Sequence, residues 1–107
     1  MHEITVEELK ARLDRGEEVH LLDVREAEEV AVCPMPGAEH IPMMELFTGM
    51  TKTAADPGAE IVVLCHHGIR SSEAVRFLRM QGYAGTRSLA GGIDEWAASV
   101  DEGMKRY

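Results

Sequence analysis

The sequence predicts an α/β fold: a mostly parallel central sheet of about five strands flanked by helices on both faces. Three observations predict it. Short apolar runs alternate with segments of helical periodicity along the chain. The run Ile61-Val62-Val63-Leu64 is apolar throughout, as in a strand covered on both sides. The 107 residues suffice for one domain over 1–107 with a modest core and are too few for two.

In chain order, Thr5-Val6-Glu7-Glu8 fits a capping box, with Ile4 and Leu9 placed for a hydrophobic staple. Val6, Leu9 and Leu13 share one helical face, and Gly16 ends the helix. Residues 19–24 read as a strand. Residues 26–32 read as a short helix that Pro34 and Pro36 stop. Residues 38–41 suggest a brief strand, and Pro42 opens a helix carrying Met43, Met44, Leu46, Phe47 and Met50. Residues 51–58 are polar and turn-rich, hence a surface loop. After the strand 61–64 comes a helix over 71–81, with Ala74, Phe77 and Leu78 inward and Arg76 and Arg79 toward water. Gly82 stops it, 86–89 form a last strand, Gly91-Gly92 turn, and Ile93, Trp96, Ala97 and Val100 make a final helical stripe.

Composition narrows the function classes. With 45% hydrophobic and 28% charged residues, the chain reads as a soluble globular protein. No apolar run approaches the roughly 18 residues of a membrane span. The acidic N-terminus lacks a signal-peptide layout, so a cytoplasmic location is expected. A net charge of −8 argues against nucleic acid and repels anionic ligands at long range, so an anionic substrate needs local attraction. Two cysteines, Cys33 and Cys65, do not make a disulfide scaffold.

Cys65 stands at the end of the buried strand, before the loop His66-His67-Gly68-Ile69-Arg70-Ser71. Parallel sheets bind ligands outside the carboxyl ends of their strands. Residue type alone admits packing, metal ligation or nucleophilic attack. A thiol near its ordinary pKa of about 8.5 is mostly protonated at neutral pH, so a nucleophilic role needs groups that favour the thiolate. The start of the following helix offers free N–H groups and partial positive charge. Arg70 offers a permanent cation. Gly68 can take a positive φ, turning successive amides inward as an anion-binding nest. Ser71 and Ser72 can cap the helix or donate a hydroxyl. Such a cradle suits thiol transfer or phosphoryl transfer.

Four segments resemble the rhodanese family of sulfurtransferases in its single-domain form. Leu21-Leu22-Asp23-Val24-Arg25 is similar to the family's first-strand motif, and Pro36-Gly37-Ala38-Glu39-His40-Ile41-Pro42 to the approach to its second strand. Ile61 to Ser71 is similar to its active-site strand and loop, and Leu89-Ala90-Gly91-Gly92-Ile93-Asp94-Glu95-Trp96 to its C-terminal signature. The resemblance implies a rhodanese-like three-layer fold and sulfur transfer through a persulfide on Cys65. The donor would be a small sulfur anion such as thiosulfate, and the acceptor cyanide or a thiol. The amides of His66, His67, Gly68, Ile69 and Arg70 would hold the persulfide, assisted by Ser71. Asp23 and Arg25 would form a structural ion pair near the site. No metal and no cofactor are implied, and a sulfur-relay protein is a candidate partner. Where the family usually has Gly-His-Ile, this chain has Cys33-Pro34-Met35.

The rival readings follow from the same residues. A persulfide carrier or docking module would keep Cys65 and lack thiosulfate turnover. Certain phosphatases share the rhodanese fold, but their loop is longer by a residue than the four that separate Cys65 from Arg70 here. Adjacent His66 and His67 converge poorly on one metal ion. Cys33 reads as a small apolar filler, with a resolving thiol as the alternative. The run Glu26-Ala27-Glu28-Glu29 reads as a solvated helix start, and Trp96 as core.

Overall fold

The computed structural model of the chain describes residues 2–107. Its elements are β1 (Glu3–Ile4), α1 (Val6–Asp14), β2 (His20–Asp23), α2 (Ala27–Val32), β3 (Glu39–His40), α3 (Met43–Phe47), β4 (Ile61–Leu64), α4 (Ile69–Met80), β5 (Thr86–Leu89) and α5 (Gly92–Ser99). The five strands form one sheet in the order β1-β5-β4-β2-β3, and every neighbouring pair is parallel.

The two-residue period of β4 divides the core. Val62 and Leu64 pack with Ile4, Leu9, Ile93 and Trp96 beneath α1 and α5. Ile61, Val63 and Cys65 pack with Leu46, Ala74 and Leu78 beneath α3 and α4. Three layers result, with β4 central and buried along its length.

Thr5 caps α1, its hydroxyl accepting from the Glu8 amide at 3.1 Å. Ile4 and Leu9, the staple pair, are both buried. Ile4 also belongs to β1, an edge strand the sequence does not predict. Its two residues are too few to show alternation, and it is recognised only by its pairing: the Ser88 amide donates to His2 O at 2.8 Å and the Ala90 amide to Ile4 O at 2.9 Å.

Other departures have local causes. The helix expected to reach Met50 ends at Phe47, because Gly49 takes φ +75° and leaves Met50 77% exposed. The helix expected from Ser71 begins at Ile69, with Gly68 as its N-cap at φ +105°. Ile69 is exposed, so the apolar stripe gives no sign of that first turn. Arg79 does not face water freely; its Nε donates to Thr86 O at 2.8 Å.

Candidate functional site

The carboxyl end of β4 delivers Cys65 to the first turn of α4. Its residue surface is fully covered, yet its sulfur does not lie in purely apolar surroundings. The Gly68 amide donates to Sγ at 3.0 Å and the Ser71 amide at 3.4 Å, while Ser71 Oγ lies 3.5 Å away. The amides of His66, His67, Ile69 and Arg70 find no acceptor among the described residues. For Ile69 and Arg70 this follows from their place in the first helical turn.

The loop carbonyls point elsewhere. Cys65 O accepts from the Ile93 amide at 2.9 Å, and His66 O from the Asp94 amide at 3.1 Å. The first turn of α5 thus holds two loop carbonyls. This approach requires glycine at position 92. A Cβ there would lie 2.6 Å from Cys65 O and closer still to His66 O, and φ is +62°.

Arg70 does not bond to the sulfur. Its Nη1 and Nη2 donate to the two carboxylate oxygens of Glu29 at 2.6 and 2.7 Å. These bonds draw the Glu29 carboxyl down to about 2, against the penalty of its partial burial. They hold Arg70 above its ordinary value, with a smaller contribution from Cys65. The expectation of a solvated acidic run therefore fails at Glu29. This carboxylate also accepts from the Glu26 amide at 3.0 Å and from the Tyr107 hydroxyl at 3.1 Å.

Asp23 and Arg25 form the expected ion pair. Arg25 Nη2 donates to Asp23 Oδ2 at 2.7 Å, and Nε to Oδ1 at 2.9 Å, with both residues buried. Burial pulls the Arg25 guanidinium down; the bonds to Asp23 and Tyr107 more than reverse this. Nη1 donates to Tyr107 Oη at 3.0 Å, so the pair joins the Glu29–Arg70 pair through one phenol.

The remaining loop side chains stay off the sulfur. Ile69 is 78% exposed. The His66 ring stacks between His67 and Tyr107, each centroid 3.9 Å away. His66, His67 and Asp94 bring ligand-type atoms together, but the two imidazoles lie face to face, so their lone pairs run side by side rather than to one point. Asp94 is engaged by Arg106 through both oxygens. Cys33 and Met35, at the departure from the usual motif, are buried in the cluster on the far side of the sheet from Cys65. That placement fits a filler and does not bring Cys33 to the sulfur as a resolving thiol.

The pattern of the rhodanese-like domain matches residues 5–99. The chain belongs to the rhodanese-like domain family. Within that family it is 36% identical to a sulfurtransferase of Allochromatium vinosum, over 91% of this chain and 89% of that one. It is 32% identical to the putative sulfur carrier protein YrkF of Bacillus subtilis, over 92% of this chain and 52% of the relative. The chain therefore spans about half the length of YrkF. Among solved rhodanese-like structures, the human single-domain sulfurtransferase TSTD1 superposes with a TM-score of 0.82 at 30% identity, covering 92% of this chain and 97% of that one.

Ser88 escapes the sequence reading. It lies on β5, fully buried, with its hydroxyl 2.6 Å from that of Ser71. The only signal available was two hydroxyls, at 86 and 88, on one face of a strand otherwise bordered by core.

Proposed function

We propose that this chain is a sulfurtransferase that carries a sulfane sulfur as a persulfide on Cys65. The observation that carries the reading is the pair of main-chain donors to Sγ, the Gly68 and Ser71 amides at the start of a helix, with Ser71 Oγ 3.5 Å from the sulfur. Main-chain donors of this kind suit a negative sulfur and need no reorganisation when it forms. The unspent amides of His66, His67, Ile69 and Arg70 are available to an outer sulfur. Sulfurtransferases among the relatives support the same reading.

With thiosulfate as donor, the Cys65 thiolate attacks the outer sulfur. The Sγ–S bond forms as the S–S bond of thiosulfate breaks, and sulfite leaves with the bonding pair. An acceptor nucleophile, cyanide or a thiolate, then attacks the outer sulfur. The Sγ–S bond breaks, thiocyanate or an acceptor persulfide departs, and the Cys65 thiolate returns. Asp23 and Arg25 take no part in bond-making and hold the base of the site.

Intact mass after incubation with thiosulfate and gel filtration tests this. The wild-type chain gains one sulfur and Cys65→Ser gains none; an unchanged wild-type mass would refute it. The name of YrkF favours a second reading, a carrier loaded by a partner protein such as a cysteine desulfurase. That reading expects a persulfide from the desulfurase without thiosulfate–cyanide turnover. Hydrolysis of an aryl phosphate would instead indicate a phosphatase.

A further inference from the structure

Behind the Cys65 sulfur lies a pair of hydroxyls whose hydrogens must be shared out. Ser71 and Ser88 are both buried, and their Oγ atoms are 2.6 Å apart. A serine hydroxyl has one hydrogen and two acceptor sites. Ser71 has three candidate acceptors for its hydrogen: Sγ at 3.5 Å, Gly68 O at 3.1 Å and Ser88 Oγ. Ser88 has one side-chain partner among the described residues, Ser71. A buried hydroxyl hydrogen without an acceptor is costly, so the Ser88 hydrogen goes to Ser71 Oγ. The Ser71 hydrogen is then confined to Gly68 O or Sγ.

The two states of the thiol choose between these. While Cys65 is protonated, its S–H can donate to Ser71 Oγ and the Ser71 hydroxyl to Gly68 O. Once the proton has left, the sulfur accepts only, and the Ser71 hydroxyl turns to it. Gly68 O is not stranded by the turn. It still accepts from the Ser72 amide at 3.2 Å and the Ser72 hydroxyl at 2.8 Å. Donation from Ser88 persists in both states and strengthens Ser71 as a donor.

We infer that Ser88 is a positioning residue for the reaction of Cys65: by donating to Ser71 Oγ it makes that hydroxyl a stronger donor to the thiolate and a weaker acceptor for the thiol, and so favours the thiolate. The inference rests on Cys65 being the reacting thiol, and its test does not need sulfur transfer.

The test compares Ser88→Thr with Ser88→Val, near-isosteres that differ in the hydroxyl. The rate read is alkylation of Cys65 by iodoacetamide at mildly acidic pH, with peptide mass mapping to separate it from Cys33. Losing the Ser88 donation weakens the Ser71 bond to the charged sulfur without removing it, and lowers the ionised fraction about twofold. The greater intrinsic nucleophilicity of the remaining thiolate recovers part of this, for a net loss of about 1.5-fold. Ser88→Val is expected to react about 1.5-fold more slowly than Ser88→Thr, and the gap to vanish when Ser71→Ala is added. Ser88→Ala, which adds no volume, is the second arm and should also slow alkylation only when Ser71 is present. Equal rates for the Thr and Val variants, or a gap that survives Ser71→Ala, overturns the inference. Loss of thiosulfate turnover with the alkylation pattern intact would count against sulfur transfer and leave the role of Ser88 standing.

Discussion

Glu29 and Arg70 lie 41 positions apart in sequence and meet through two hydrogen bonds. Nothing local announces this. The acidic run around Glu29 has the composition of a solvated helix start, and only the tertiary fold turns one carboxylate of it toward the loop. Cys65, Gly68 and Ser71 were legible for the opposite reason, since strand end, glycine and helix start are consecutive in the chain. Arg70 was legible as a cation but not in its partner. The pair also makes stability depend on acidity. The Glu29 carboxyl is held at about 2 in the folded chain against an ordinary 4.5. As pH falls through this interval the unfolded chain takes up its proton first, so the stabilisation is full above about 4.5 and is lost on approaching about 2. Glu29→Gln is expected to lower neutral-pH stability by about 1 kcal/mol, a partly exposed pair counting for little more. Denaturant melts across that acid range should show a shallower decline for the variant than for wild type; parallel declines would contradict the assignment.

At the scale of elements, the loop after Cys65 is set by two helix starts, those of α4 and α5. Four strands and five helices follow from apolar period and turn residues, with ends shifted by a few positions. What could not be read was pairing. β1 has two residues and exists only because β5 offers it an edge. The role of Gly92 was likewise hidden, since a Gly-Gly pair reads as a turn until the loop carbonyls are seen against it. Gly92→Ala places a methyl group on Cys65 O and His66 O at a positive φ. Misplacement of a reacting group by about 1 Å costs on the order of a hundredfold in rate. Thiosulfate–cyanide turnover should fall by about that factor in a variant whose circular dichroism still shows the folded sheet and helices. A variant with unchanged turnover would remove the close approach from the account.

The three layers and the parallel sheet, properties of the whole molecule, were the most legible. They follow from the alternation of strand and helix patterns and from β4 being apolar along its length. Net charge is also a whole-molecule property, and it opposes the proposed donor. The chain carries −8, so a thiosulfate dianion approaches against the long-range field. Screening at physiological salt acts over about 8 Å. Added inert salt should therefore raise kcat/KM for thiosulfate, severalfold between low and physiological ionic strength, while leaving a neutral alkylating reagent unaffected. A fall in kcat/KM with salt would mean that local cations near the loop outweigh the overall field.

The grip of α5 on the loop carbonyls has a temporal consequence. Cys65 and the helix that shapes its surroundings lie well apart in sequence, and the loop acquires its shape only when α5 docks. Competence should therefore require a docked α5 and be an early casualty of denaturation. In a urea titration, thiosulfate turnover is expected to disappear before the far-ultraviolet signal of the sheet and helices, as α5 shifts off the loop carbonyls before the sheet opens. Coincident loss of both signals would mean that helix and sheet melt as one unit.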